Sequence, residues 1–303
     1  MVPCYHITRR KTRAAGGSKG TESIGRVNMR PSAPQRKEEK MKQLIAVVLA
    51  VVLLILSAVL AGCSGHPSDD LAFVKQNGKL VVGITDYPPM DYREDGSEEW
   101  IGFDADMAKA FAQSLGVTAE FVVIDWGTKS TQLDSRTIDC VWNGMTLNGE
   151  VSAAMGVSEA YCKNAQVVIL PADRADTYRT IESLKSLNFA VEVGSAGKAR
   201  LDALGYSYIE VGDQTKAVME VAAGTADAAV IDLLLAGNLI GPETSYAGLA
   251  IGPKLNDEEF FVVGFRRNSA LVEAFHAFWK KAAADGSLEE TAKKYGVQDA
   301  VIR

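Results

Sequence analysis

From residue 79 onward, short apolar runs alternate with longer runs in which apolar residues recur at helical spacing. Continuous apolar stretches bounded by Gly, Pro or Asp are typical of strands buried on both faces. The pattern predicts strands over 79–85, 119–125, 139–144, 166–170, 189–193, 207–211, 227–232 and 260–265. It predicts helices over 104–116, 197–204, 214–223, 269–284 and 287–295, the first with Asp104 as its N-cap.

This alternation of strands and helices predicts an α/β fold with two parallel sheets, each covered by helices on both faces. Ligands of such folds favour the crevice at the carboxyl ends of the strands. The residues that directly follow each predicted strand are therefore candidate site residues.

The first set of strands is followed by acidic, aromatic, small and neutral polar residues: Asp86, Tyr87, Trp126, Asn143, Gly144 and Thr146. Glycine lets a ligand approach the backbone, and Asn and Thr supply neutral hydrogen bonds. Two interpretations stay open for the others. The aromatic side chain of Trp126 either stacks on a ligand or closes the edge of the core, and Asp86 is either a ligand contact or a solvated acid in a turn.

In the second set, the strand 189–193 is followed by Gly-Ser-Ala-Gly at 194–197 and then by a helix. Small residues at a helix N-terminus present free N–H groups that bind an anion such as a carboxylate. The run lacks the spacing of nucleotide-binding loops. Asp232 ends another strand, where it either caps the following helix or pairs with a ligand cation.

Charge is unevenly distributed along the 303 residues, whose formal net charge is −6. Residues 1–62 hold 11 of the 32 Lys and Arg but only 3 of the 38 Asp and Glu, so the remainder carries a net −14. An acidic body argues against nucleic-acid binding, which depends on neutralising phosphates. The length favours two domains, and the apolar fraction of 47% is that of a globular protein.

The basic start contains an uncharged run of 18 residues, 44–61, preceded by Met41 and Lys42 and followed by Gly62 and Cys63. A basic start, an apolar stretch and a small-residue exit are typical of a secretory signal peptide. LAGC resembles the lipobox of bacterial lipoproteins, which implies that Cys63 is lipidated. The alternative is an uncleaved anchor helix, since 18 apolar residues can also span a bilayer.

Cys140 and Cys162 form an even pair in an exported chain, so they are either a disulfide or two buried thiols. The three histidines, His6, His66 and His276, are scattered and have no metal ligand at useful spacing. We therefore expect no metal, no cofactor and no catalytic residue.

From about Gly78 to Gly296 the chain resembles family 3 of the bacterial extracellular solute-binding proteins, the receptors of amino-acid ABC importers. The stretches that carry the resemblance are KLVVGITDYPPM, IGFDADMAKAFAQSLGV, IDCVWNGMT, AVEVGSAG, DAAVID, VVGFRRNS and DGSLEETAKKYG. The resemblance implies the two-lobe fold of periplasmic binding proteins. Each lobe is a mostly parallel sheet flanked by helices, and two crossing strands join the lobes.

We therefore expect an extracytoplasmic, lipid-anchored, monomeric protein that captures an amino acid or similar small polar solute by hinge closure and delivers it to a membrane permease. The expected division is 1–40, a disordered extension or a start assigned too early; 41–62, signal peptide; 63–70, tether; 71–166, lobe 1; 167–254, lobe 2; and 255–303, the return to lobe 1 with the C-terminal helices.

The resemblance carries site roles over to particular positions. It implies that Asp86 and Tyr87 are the family's ligand-binding acid and aromatic residue on lobe 1, that Trp126 covers the ligand side chain, and that Asp232 holds an α-ammonium group. The remaining implied ligand contacts are Asn143, Gly144, Thr146, Glu192, Ser195, Ala196 and Gly197. For Glu192 the alternative is a solvated carboxylate at the cleft rim.

One departure from the family's pattern concerns charge. The family usually has an arginine that grips the ligand's α-carboxylate where this chain has Val151. Two explanations stay open. Either the carboxylate binds the helix N-terminus at 195–197, helped by Lys198, or the ligand is a cation without an α-carboxylate.

Two other functions remain as alternatives. Some proteins that resemble this family are exported dehydratases, whose chemistry needs a poised proton donor and a carboxylate anchor. A ligand-binding sensory module is the second alternative.

Overall fold

The structure is a computed structural model that describes residues 70–303. The predicted extension, signal peptide and lipidation site at Cys63 lie outside these residues. Within residues 70–303, no helix combines the length and the apolar character that crossing a bilayer requires.

All eight strands and five helices expected from the hydrophobic pattern are present, with ends within two residues of the predicted ones. The strands are β1 (Lys79–Ile84), β2 (Thr118–Val123), β3 (Cys140–Thr146), β4 (Gly156–Val157), β5 (Cys162–Asn164), β6 (Gln166–Pro171), β7 (Asn188–Glu192), β8 (Ser207–Val211), β9 (Ala228–Asp232), β10 (Leu249–Lys254) and β11 (Glu259–Phe265). The α-helices are α1 (Asp70–Asn77), α2 (Phe103–Ser114), α3 (Lys129–Asp134), α4 (Gly149–Ala154), α5 (Ala196–Leu204), α6 (Gln214–Ala222), α7 (Leu233–Leu239), α8 (Leu271–Asp285) and α9 (Ser287–Lys294).

The strands form two sheets. The first has the order β2-β1-β3-β11-β4, with β5 also paired to β11, and the second has the order β10-β6-β9-β7-β8. We call the first sheet with its helices lobe 1 (70–164 and 259–303) and the second lobe 2 (166–254). The α/β two-sheet fold is confirmed.

Each sheet is mixed rather than mostly parallel. In lobe 1, β1 pairs with β2 and β3 in parallel, whereas β11 is antiparallel to β3, β4 and β5. In lobe 2, β7 is parallel to β8 and β9, whereas β6 is antiparallel to both β9 and β10. The strands that run antiparallel to their neighbours, β6 and β11, are the first strands after the two crossings between the lobes. Each enters its sheet from the other lobe and runs against the strands beside it.

The two crossing segments lie side by side. The chain leaves lobe 1 after Asn164 and returns to it at Glu259. The Leu255 N–H donates to the Gln166 carbonyl at 2.8 Å. The Gln166 N–H donates to the Asn256 side-chain oxygen at 2.7 Å. These bonds hold the two segments together between the lobes.

The core of lobe 1 is an aromatic cluster centred on Trp142. Its ring lies 5.0 Å from Phe275 and 6.2 Å from Tyr161, centroid to centroid, and Phe111 packs at 6.3 Å. All four side chains are buried. Edge-to-face pairs at these distances add stabilisation beyond the burial of apolar area.

Cys140 and Cys162 are two buried free thiols, so the disulfide alternative is wrong. They pair with opposite sides of β11, Cys140 with Phe265 and Cys162 with Phe261. Two strand spacings of about 4.8 Å and four residues of about 3.4 Å each therefore separate them. A disulfide needs Cα atoms within about 7 Å.

Arg266 ties three segments of lobe 1 together from a buried position. Its guanidinium donates to the carboxylate of Asp70 at 3.0 Å and to that of Asp139 at 2.8 Å. It also donates to the backbone carbonyls of Leu133 and Ile138. Five donors in a fixed plane suit this set of acceptors.

We expect Arg266→Met to lower the free energy of unfolding by about 3–5 kcal/mol, because it leaves the buried Asp139 carboxylate without its cationic partner. Asp70 keeps a second cationic partner, Arg136, at 3.5 Å. Denaturant unfolding followed by circular dichroism measures this. The neighbouring Arg267 is exposed, and Arg267→Met is the matched control, with a change under about 0.5 kcal/mol. Equal effects of the two substitutions would contradict the structural role of Arg266.

Candidate functional site

A cavity lies between the two lobes at the ends of β1, β3, β7 and β9. The cavity is tight, with a volume of about 20 Å³. Its lining residues are Thr85, Asp86, Tyr87, Trp126, Asn143, Gly144, Thr146, Gln166, Glu192, Ser195, Ala196, Gln214, Asp232 and Leu235. Ten of the eleven residues expected from the sequence to contact a ligand are among them.

Gly197 is the exception. It does not line the cavity, because its backbone packs against the side chains of Val230, Gln166 and Val191. A Cβ atom at this position would lie 2.9 Å from Val230. The absence of a side chain at Gly197 therefore allows helix α5 to pack closely against the sheet.

Tyr87 and Gly144 form the wall of the cavity in lobe 1. Gly144 has a φ of 57°, and a Cβ atom there would lie 2.2 Å from the Tyr87 ring, so only glycine fits. The Tyr87 hydroxyl is buried and, among the described residues, has no hydrogen-bond partner. An unpaired buried hydroxyl at a cavity wall is a polar group available to a ligand.

The side chain of Asn143 holds the cavity wall of lobe 1 in place. Its polar atoms are all hydrogen-bonded within the protein. Its side-chain oxygen accepts from the Thr85 N–H at 3.0 Å and from the Thr85 hydroxyl at 2.7 Å. Its amide nitrogen donates to the Thr85 carbonyl at 3.0 Å and to Asp91 at 2.8 Å. These four bonds use the full capacity of an asparagine side chain.

Asp104 does not cap helix α2, contrary to expectation. The helix begins one residue earlier, with Gly102 at the N-cap. The buried Asp104 carboxylate accepts from the Gly144 N–H at 2.9 Å and from the Tyr161 hydroxyl at 2.6 Å. It therefore fixes the backbone that forms the cavity wall. Burial raises the pKa of Asp104 to about 7.

Asp232 stands at the N-cap position of helix α7 but makes no side-chain capping bond. Its carboxylate instead accepts from the amides of Asn164 and Gln166, both at 2.6 Å, and from that of Gln214. The same Asn164 and Gln166 amides donate to Glu259 at 2.7 and 2.6 Å. Burial and the nearby Glu259 charge raise the pKa of Asp232 to about 7.

Glu192 is a buried acid of the cavity wall in lobe 2. It is 3% exposed, so the solvated-rim alternative is wrong. Burial, together with the charges of Asp232 and Asp213, raises its pKa to about 8. Lys129 and a hydrogen bond from Gln214 act in the opposite direction but do not offset burial.

Trp126 and Lys129 connect the lobes beside the cavity. The Lys129 ammonium lies 4.8 Å from the centre of the Trp126 ring and donates to the Trp126 carbonyl at 3.1 Å. It also donates to the carbonyl of Gly194, in lobe 2, at 2.9 Å. Trp126 is 7% exposed, packs in the apolar cluster at the edge of the core and also lines the cavity. Stacking of its ring on a ligand stays a prediction.

Val151 lies in helix α4, where its side chain packs in an apolar cluster with Trp126 and Leu133. Lys198 does not help to bind an anion in the cavity. Its ammonium pairs with Asp202 at 2.9 Å and lies over the ring of Tyr208. No Lys or Arg is among the cavity's lining residues.

Several residues at the site were not expected from the sequence. Gln214 begins helix α6 directly after a predicted strand and turn, so the strand-end argument could have found it. Gln166 begins a predicted strand, and no strand-end argument applies there. Lys129 belongs to a short helix of six residues, which leaves no periodic signal.

We expect the unfolding free energy of the ligand-free protein to fall as pH rises from about 4.5 to about 8. The pKa of Glu192 is near 4.5 in the unfolded chain and about 8 in the folded protein, so the folded protein holds this proton to higher pH. Glu192→Gln should make the fall shallower in denaturant titrations across this range. The exposed Glu210 provides the control, since Glu210→Gln should leave the slope of unfolding free energy against pH unchanged. If Glu192→Gln gave the same slope as this control, Glu192 would ionise normally and the prediction would be wrong.

The fold and cavity agree with comparisons to known proteins. The sequence profile of the bacterial extracellular solute-binding proteins, family 3, matches residues 80–298. The chain belongs to this family. Its members are extracytoplasmic ligand-binding proteins, and the cavity between the lobes fits that class.

Individual relatives are distant. The arginine-binding extracellular protein ArtP of Bacillus subtilis is 26% identical over 259 residues, covering 84% of this chain and 97% of ArtP. The structure of holo ArgBP from T. maritima is 25% identical, with a TM-score of 0.66 over 72% of this chain and 98% of that one. AncCDT-1, an ancestral amino acid-binding protein and precursor of cyclohexadienyl dehydratase, is 26% identical, with a TM-score of 0.67 over 74% of this chain and 98% of that one.

Proposed function

We propose that this protein is the extracytoplasmic substrate-binding lipoprotein of an ABC importer. It captures an amino acid or a similar small polar solute between its lobes and delivers it to a membrane permease. The observation that carries the proposal is a cavity lined by strand-end residues of both lobes. A ligand that contacts both lobes stabilises the closed form by its differential affinity for that form.

The contacts proposed for the ligand come from both sides of the cavity. In lobe 1 these are Asp86, the Tyr87 hydroxyl, Trp126 and the backbone beside Gly144. In lobe 2 they are the carboxylates of Glu192 and Asp232, with the Ser195–Ala196 turn beside them. Asn143 and Thr146 support the wall, since Asn143 is fully bonded and the Thr146 hydroxyl donates to Glu259 at 3.0 Å.

Binding without chemistry is favoured over a dehydratase activity by the charges of the cavity. A dehydratase of prephenate or arogenate needs an anchor for substrate carboxylates, and the lining holds three acids and no Lys or Arg. His276 lies on helix α8, where its ring accepts a hydrogen bond from the Glu159 N–H, and does not line the cavity. The ligand should therefore be recovered unchanged after incubation with the protein.

The test of the proposed function is binding combined with closure. We expect at least one solute from a panel of amino acids and small amines to raise the melting temperature and to reduce the radius of gyration in X-ray scattering. Asp232→Asn should weaken that binding by about 100-fold or more, because it removes the charged partner of the ligand's cationic group.

The exposed Asp173 provides the matched control. Asp173→Asn should bind like the unchanged protein, with the same melting temperature. Binding that is unaffected by Asp232→Asn would contradict the proposed site, and a panel without any binding would contradict the proposed function.

Lipid anchoring has a separate test. Cys63→Ser should abolish incorporation of radiolabelled fatty acid into the expressed protein, because the side chain that carries the lipid is lost, whereas Cys4→Ser should not. Metabolic labelling followed by immunoprecipitation measures both. Equal labelling of the two variants would contradict lipidation at Cys63.

A further inference from the structure

The cavity between the lobes is acidic. Three carboxylates line it, Asp86 from lobe 1 and Glu192 and Asp232 from lobe 2. Glu259 lies one hydrogen bond further away, behind the amides of Asn164 and Gln166. The field inside the cavity therefore attracts positive charge from both lobes.

Nearby cations are already engaged elsewhere. The Lys129 ammonium donates to the carbonyls of Trp126 and Gly194 and also lies over the Trp126 ring. Lys198 pairs with Asp202, and Lys216 pairs with Asp213 at 2.9 Å. Neither of these two, nor Lys129, lines the cavity.

The start of helix α5 is a poor place for a ligand carboxylate. The Ser195 hydroxyl already accepts from the Lys198 N–H at 3.1 Å, so one of the free N–H groups is used. The helix begins only four residues after Glu192, whose carboxylate is buried on the same side of the cavity. A ligand carboxylate bound there would be buried without any Lys or Arg in the lining to balance its charge.

A metal ion is not the expected cation. Within residues 70–303, no three His, Cys, Asp or Glu side chains converge closely enough to hold one. The buried Tyr87 hydroxyl has no partner among the described residues and lies at the same wall as the Trp126 ring. An oxygen acceptor and an aromatic ring beside carboxylates suit an organic ammonium or guanidinium group.

We propose that this cavity selects an organic cation that lacks a carboxylate, an aliphatic amine or guanidine, over the amino acid of the same skeleton. This inference rests on the proposed binding function and specifies its ligand class. Glu192 and Asp232 hold the cationic group in lobe 2, and Asp86 attracts it from lobe 1, so charge neutralisation and lobe closure coincide.

Three matched pairs of compounds test the proposal, each differing by one carboxylate: agmatine and arginine, putrescine and ornithine, cadaverine and lysine. Protein freed of ligand by unfolding and refolding is titrated calorimetrically with each compound, and with glutamine, at pH 8. We expect at least one amine to bind about tenfold or more tightly than its parent amino acid. The proposal is overturned if every amino acid binds as tightly as its amine, or if no amine binds.

The two proposals fail differently. Binding of glutamine or of the parent amino acids without binding of the amines leaves the solute-binding function intact and removes the cation preference. Glu192→Gln should reduce the preference for the amine at least about tenfold. The control Glu210→Gln changes an exposed glutamate one strand away and should keep the preference, and an equal preference in both variants would overturn the role assigned to Glu192.

Discussion

The structure depends on buried carboxylates that have no permanent cationic partner at the cavity. Placing an ionised carboxylate in a protein interior without compensation costs several kcal/mol. In the ligand-free protein this cost is reduced in two ways. Neutral amides surround Asp232, and raised pKa values leave protons on Asp232 and Glu192 near neutral pH. The cationic ligand that we propose would replace the protons and supply the missing charge.

The amide groups around Asp232 connect the cavity to the two crossing segments. Asn164 and Gln166 lie on either side of the first crossing, and both donate to Glu259, the first residue of the strand after the second crossing. A charge that arrives at Asp232 therefore acts on hydrogen bonds that hold both crossing segments. Lys129 adds a direct bond between the lobes at the other edge of the cavity. The carboxylates of the cavity and the contacts between the lobes are consequently parts of one hydrogen-bond network.

Much of the fold and the place of the site could be predicted from the sequence. Continuous apolar runs located eight of the eleven strands within residues 70–303, and the strand-end rule placed nine residues at one cavity, because both follow from local patterning. Strand β10, which is only half-buried, was missed, and Glu192 was carried over from the resemblance. The roles of Asn143, Asp104 and Asp232 could not be read this way, since they depend on partners 40 or more residues away in the chain. The mixed direction of the sheets was also missed, because apolar runs do not encode the direction of a strand.

The most direct test of this account is the carbon-13 NMR titration of the Glu192 side-chain carboxyl, in the free protein and with saturating agmatine. The account predicts a pKa of about 8 in the free protein and a value well below that when the cation is bound. A normal pKa in the free protein, or the same raised pKa with and without agmatine, would contradict it.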